Sequence, residues 1–190
     1  MKSFLATLLL GLSMTLANAA EAPRVVLDTS MGMITLELNP AKAPKTVENF
    51  LQYVKDKQYD GVVFHRVIKG FMVQGGGYDQ SYSEKKTRPS IDNEAANGLK
   101  NVRGSIAMAR TSAPHSARAQ FFINHGDNGF LDHPGQDGWG YAVFGKVVEG
   151  MDVVDKIAAT PTGAGAPFGS DVPVTPVVIR SATLVVAGKP

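Results

Sequence analysis

Few side chains in this 190-residue sequence could do chemistry, and their spacing excludes most reactions. His65, His115, His125 and His133 show neither i, i+4 spacing on a helix nor an HExxH pattern, so they predict no metal site. The chain has no cysteine, which removes disulfides, thiol nucleophiles, thiolate zinc sites and iron–sulfur clusters together. No Gly-Lys-Ser/Thr follows Gly75-Gly76-Gly77, so a phosphate-binding loop is not supported. The triplet reads instead as backbone that needs positive φ or lies against a neighbouring segment. Gly163-Ala164-Gly165 lacks the further glycine and the strand–helix setting of a dinucleotide fingerprint, and there is no GxSxG elbow. Asp127-Asn128-Gly129 reads as a turn rather than a calcium loop. Asp92 and Glu94 form an acid pair in a polar loop, where they are expected to face water. No nucleophilic or acid–base machine can be assembled, and no cofactor is implied. What survives is Arg66, set close to apolar residues and a glutamine in the run Phe64–Gly76 (FHRVIKGFMVQGG).

Short strand-like runs separated by turns must position these residues. Arg24–Thr29 and Met33–Leu38 flank Ser30-Met31-Gly32 and predict a hairpin, with Ile34, Leu36 and Leu38 alternating against Met33, Thr35 and Glu37. Val47, Phe50, Leu51 and Val54 fall at i, i+3, i+4 and i+7, one stripe of a helix over 44–57 that Pro44 can open. Further strands are predicted over 62–68, 71–74, 105–109, 119–124, 142–148 and 176–186, with a second short helix over 150–159. About eight strands and two helices without βαβ alternation predict a mainly β fold, an antiparallel barrel or sandwich capped by helices. Two long irregular stretches, 75–103 and 125–140, are candidates for function.

Composition narrows the class further. Nineteen Lys+Arg against 17 Asp+Glu leave a net charge of +2, which argues against a nucleic-acid binder. Lys2, the uncharged apolar run 4–16 and Ala17-Asn18-Ala19 match a cleavable export signal. That run is too short for a membrane span. Residues 1–19 are therefore expected to be removed, leaving one domain over 20–190 that is soluble, exported and not membrane-bound. An exported chain without cysteine suits a bacterial periplasm.

The run Phe64–Gly76, then Gln120-Phe121-Phe122-Ile123-Asn124, then Phe130-Leu131-Asp132, then Val143-Phe144-Gly145-Lys146-Val147 resembles, in order and separation, the cyclophilin family of peptidyl-prolyl cis–trans isomerases. The likeness covers essentially 25–186 and, with the leader, resembles a bacterial periplasmic member. It implies an eight-stranded antiparallel closed barrel capped by two α-helices, in agreement with the strand count. It also implies proline-containing unfolded or partly folded polypeptides as substrates, and a monomer is expected. Rotation about an X–Pro bond must break amide resonance against about 18–20 kcal/mol, and uncatalysed exchange takes roughly tens to hundreds of seconds. No bond is cleaved, so no nucleophile, metal or proton-transfer pair is required. A donor aimed at the prolyl nitrogen, which becomes more basic as resonance is lost, binds the twisted state better than either planar state. By the resemblance, Arg66 is that donor and Gln74 orients the substrate carbonyl and the arginine. Phe71, Met72, Phe122 and Leu131 match the proline cup. Ala109, Arg110 and Thr111 match a segment that pairs its backbone with substrate, and Gln120 matches a polar groove residue.

Departures from the family pattern change some expectations. Many eukaryotic members carry a tryptophan where Phe130 stands, and Trp139 does not inherit that place. Tyr141 replaces a pocket histidine, and Arg110 replaces an asparagine. Loss of the indole N–H predicts weak binding of cyclosporin-type cyclic peptides. His65, next to Arg66, is expected on the opposite strand face in a structural role. The alternative function is a proline-peptide binding module or holdase using the same groove without turnover. A hollow-barrel carrier of small ligands is less consistent with a small barrel, whose interior side chains often fill.

Overall fold

The computed structural model describes residues 22–165 and 167–185; the leader expected over 1–19 lies outside the described residues. Alternation builds the first wall. Val25 and Leu27 of β1 (Arg24–Thr29) and Ile34, Leu36 and Leu38 of β2 (Gly32–Leu38) point inward and are buried, and the residues between them are more exposed. The expected hairpin forms, pairing from Arg24↔Glu37 to Thr29↔Gly32. The remaining strands are β3 (Val62–Ile68), β4 (Met72–Asp79), β5 (Ser105–Met108), β6 (Phe121–Asn124), β7 (Val143–Glu149), β8 (Thr162–Gly165), β9 (Phe168–Pro173) and β10 (Val178–Val185). Eight of them close an antiparallel barrel in the order β1-β10-β3-β4-β6-β5-β7-β2, and β8 and β9 form a separate two-stranded sheet. That hairpin, packed against β3, is absent from the strand count made on sequence.

The apolar stripe predicted for the first helix becomes α1 (Pro44–Lys55), which buries Val47, Phe50 and Val54. It stops two residues before the expected end, because Lys57 has left-handed backbone at φ +55°. The second helix, α2 (Met151–Ala158), buries Val153, Val154 and Ile157, and the stripes of both helices join one continuous core with the inward barrel residues. Aromatic rings fill the interior: Phe121 meets Phe50, Tyr59 and Phe64 edge-on, at centroid distances of 5.6, 5.4 and 6.3 Å. Among the described residues, side chains thus pack the barrel interior, as small barrels often do.

Asp92 faces water as expected, whereas Glu94 is half-buried and secures α1. Asp92 pairs with Lys45. Glu94 accepts the backbone N–H groups of Lys45 and Thr46 at 3.2 and 2.8 Å, and the Thr46 hydroxyl at 2.7 Å. Those N–H groups belong to the first helical turn, which Ala43 at the N-cap leaves unserved by its own side chain. Glu94→Ala is expected to cost about 1 kcal/mol, as loss of an N-cap does, read as a lower denaturation midpoint at unchanged slope.

Candidate active site

The site lies on the outer wall of the barrel, and the strand period puts it there. In β6, Phe121 and Ile123 face the core while Phe122 between them joins a second, smaller apolar cluster. The same division separates Ile106 and Met108 from Ala107 on β5, Val73 from Met72 on β4, and Phe144 from Val143 on β7. Each strand therefore serves the core with one face and the hollow with the other. Met72, Ala107, Phe122, Leu131 and Val143 form that second cluster, with Ile68, Phe71, Leu99, Ala109 and Tyr141 packed against it.

A bulge delivers the arginine. Phe64 pairs with Gly75 and Arg66 with Gln74, so His65 is an extra residue on β3. The inserted residue resets alternation: Phe64 and Val67 are both core residues, and Arg66 emerges on the outer wall beside Gln74. The expectation that His65 takes the face opposite Arg66 is corrected here. His65 is 3% exposed, stacked on Phe168 of β9 at 5.3 Å and edge-on to Tyr78 at 4.7 Å, so both residues meet the β8–β9 hairpin. Burial, helped by the neighbouring Arg66 charge, pushes its pKa down to about 4.

The glycine triplet lies in β4 rather than opening a loop. Gly76 has φ +93°, and a Cβ there would stand 2.9 Å from the Ala119 carbonyl oxygen; one on Gly77 would meet the Gln120 side chain at 2.6 Å. Both halves of the sequence reading, positive φ and close approach, hold at these positions. The room so made lets Gln120 reach across, where its Oε1 accepts the Gln74 Nε2–H at 3.0 Å.

A hollow of about 120 Å³ is lined by Arg66, Phe71, Met72, Gln74, Ala109, Arg110, Phe122, Leu131 and Tyr141. Nine of the twelve residues singled out on sequence thus share one small depression. Thr111 and Gln120 line an adjoining groove of about 320 Å³ that shares Gln74, Ala109 and Arg110 with the hollow. Phe130 lies outside both linings, 52% exposed and stacked on Phe71 at 5.7 Å. Sequence reasoning missed Glu84, Thr87, Ser116 and Arg118 of the groove, which come from polar loops without any period to mark them.

The two guanidinium groups of the hollow differ. Arg110, 3% exposed, donates from Nε and Nη2 to the Gly140 carbonyl at 3.1 and 3.0 Å, pairs with Asp137 and lies 4.4 Å over the Tyr141 ring. The Arg110 guanidinium, together with the Gly140 and Trp139 N–H groups, holds the Asp137 carboxyl well below the usual carboxylate range. Arg110 therefore fastens the 132–140 loop to the site wall. Arg66 is 45% exposed, 5.9 Å from the Phe71 ring centre, and the carboxylate that approaches it, Asp171 Oδ2, stands 3.9 Å from Nε, beyond hydrogen-bond length.

Buried amides hold the loop that supplies Leu131. Asn128 Nδ2 donates to the Phe71 carbonyl and to Asn124 Oδ1, and Asn124 Nδ2 donates to Asn101 Oδ1 and Ser105 Oγ. Asp132 Oδ1 accepts the Asn101 backbone N–H at 2.7 Å, and Tyr141 N–H donates to the Leu131 carbonyl. A satisfied network of this kind fixes the cup without any covalent tie. Among the described residues no group of three or more His, Cys, Asp or Glu could hold a metal ion, and no helix is long and apolar enough to cross a membrane.

Residues 24–184 match the family model for the cyclophilin type peptidyl-prolyl cis-trans isomerase/CLD. The chain is 58% identical over 162 residues to peptidyl-prolyl cis-trans isomerase cyp18 of Streptomyces antibioticus, covering 84% of this chain and 97% of the relative. It is 51% identical over 188 residues to peptidyl-prolyl cis-trans isomerase A of Dickeya dadantii, covering 97% and 98%. Among solved structures, a cyclophilin type peptidyl-prolyl cis-trans isomerase of Cryptosporidium parvum, crystallised in the presence of the dipeptide Ala-Pro, superposes with a TM-score of 0.72 at 25% identity, covering 86% of this chain and 99% of that one.

Proposed function

The chain belongs to the cyclophilin family and is a peptidyl-prolyl cis–trans isomerase, and from that premise we propose that Arg66 drives X–Pro rotation as a donor to the prolyl nitrogen. The observation that carries this reading is the contrast between the two arginines of the hollow: Arg110 is spent on Gly140 and Asp137, while Arg66 keeps a solvent-open head at the rim. The pyrrolidine ring sits among Phe71, Met72, Phe122 and Leu131, a hollow with room for one small ring. Gln74, braced by Gln120, orients the substrate carbonyl and the arginine. Ala109, Arg110 and Thr111 meet the substrate backbone, while Thr111 and Gln120 carry the peptide along the adjoining groove. A 10⁵-fold acceleration needs about 7 kcal/mol of preference for the twisted amide. A guanidinium beside apolar walls supplies a substantial share, and seating the ring supplies positioning.

The substrates are exported polypeptides with exposed X–Pro bonds, and the enzyme works in the periplasm as a monomer after removal of residues 1–19. The leader-like sequence over 1–19 supports this. A protease-free isomerisation assay on an X–Pro peptide, run beside Arg66→Ala, is the test; turnover unchanged by the substitution overturns the reading. Phe130 offers a ring without an N–H donor at the rim, so cyclosporin-type cyclic peptides bind weakly, with micromolar or poorer inhibition constants expected in that assay. Nanomolar inhibition contradicts this.

A further inference from the structure

Resting on the donor role of Arg66, we propose that Asp171 is a positioning residue: the β8–β9 hairpin delivers its carboxylate to the Nε edge of Arg66, so that the terminal amino groups are the ones presented to the hollow. The hairpin is anchored beside the site, not on it. Phe168 stacks on His65, meets Tyr78 edge-on at 4.9 Å and reaches Tyr82 at 6.3 Å. Three residues further along β9, Asp171 takes φ +64°, one of three non-glycine residues at positive φ among the described residues. Glycine meets that backbone requirement best, and aspartate accepts it at some cost, so a side chain held there points to a use for the carboxylate. Ser170 Oγ donates to Asp171 Oδ2 at 3.0 Å and aims it, and the same oxygen stands 3.9 Å from Arg66 Nε.

From the other side, the Phe71 ring lies 5.9 Å from the Arg66 guanidinium carbon, so the group is bracketed between ring and carboxylate. A guanidinium has five N–H donors in a fixed fork; engaging the Nε edge leaves the outer edge to face substrate. The separation exceeds hydrogen-bond length in the free protein and shortens when substrate orders the arginine, as catalytic contacts often do. A neighbouring negative charge weakens the field of the cation, so the benefit is orientation: a long side chain of many rotamers is narrowed to one.

The test is a double-mutant cycle on the full chain, read by NMR exchange on an X–Pro peptide. Asp171→Ala is expected to lower kcat/KM about fivefold through kcat with KM little changed. Asp171→Gly, which takes the left-handed backbone without strain, should give the same loss with a melting temperature at or above the parent's, which separates orientation from folding. Asp171→Asn, keeping an oxygen at the same place, should recover most of the activity. In an Arg66→Ala background Asp171→Ala should cost nothing more, and in the parent the Arg66 Nε–H resonance should broaden or vanish on that substitution. Equal losses in both backgrounds, or full activity in Asp171→Gly, overturn the proposal. Full turnover by Arg66→Ala alone overturns the donor reading instead, and this proposal with it.

Discussion

Arg66→Ala is expected to lower kcat/KM about 10²- to 10³-fold, the usual consequence of deleting one donor aimed at charge that develops only in the transition state. The loss should fall on kcat, because a planar X–Pro bond gives the arginine little to hold. Affinity for a proline peptide should change only a few-fold, since the cup of Phe71, Met72, Phe122 and Leu131 stays intact. Stability should move by no more than about 0.5 kcal/mol, the usual range for an exposed side chain outside the core. Arg66→Lys should recover only part of the rate, because an ammonium restores charge without the planar fork. A binding module or holdase without turnover would show none of these losses in an isomerisation assay. The corresponding change at Arg110 should behave differently: that side chain is buried and fastens Gly140 and Asp137, so its removal should lower the melting temperature together with activity. Two arginines lining one hollow thus separate a rate effect from a stability effect, and the pair of measurements tests the assignment more sharply than either alone.

The barrel was legible wherever one face of a strand is buried. Residues 62–68 form a strand with the expected bounds, β2 has the expected alternation, and the apolar stripes gave both helices to within two residues. The β8–β9 hairpin was not legible, because Thr162–Gly165 carries no large apolar residue and β9 is mostly exposed or half-buried. Its reason for pairing there is to lay Phe168 over His65, a contact between segments about a hundred residues apart that no local period records. The bulge on β3 was equally hidden: a two-residue period read through Phe64, His65 and Arg66 assigns faces wrongly because it cannot register an inserted residue. Gly75–Gly77 was placed at the start of the irregular stretch 75–103, yet the triplet stays in β4 where Ala119 and Gln120 approach too closely for side chains. The site itself was legible through motif resemblance, which supplied nine of the nine residues in the hollow and Thr111 and Gln120 of the groove, but not Glu84, Thr87, Ser116 or Arg118.

His65 should make the protein lose stability as pH falls from 6.5 towards 4. The ring is almost wholly buried between Phe168 and Tyr78, and its Nδ1 has no hydrogen-bond partner, so burial outweighs what the Val63 backbone and Gln120 offer an imidazolium. Burial first, and then the adjacent Arg66 charge, bring the folded pKa to about 4 from an unfolded value near 6.5. The unfolded chain therefore takes up the proton first. The stabilising contribution is complete above pH 6.5, declines between 6.5 and 4, and is gone below 4, where both states are protonated. A shift of this size corresponds to roughly 3 kcal/mol in all, of which about 2 kcal/mol should be lost between pH 7 and pH 5. The carboxylates that the fold holds low, such as Glu37, Asp56 and Asp132, have unfolded values near or below 4.5 and exert their effect at lower pH, so the interval from 6.5 to 5 isolates the histidine. Denaturant unfolding of the parent and of His65→Leu at pH 7 and pH 5 measures this directly. The parent should weaken over that interval and the leucine variant should hold nearly level; parallel slopes would show that the ring can accept its proton without disturbing the stack. Because Phe168 rests on that ring and Asp171 follows three residues later, the same protonation should loosen the carboxylate beside Arg66. Activity at pH 5 should then fall before the barrel unfolds.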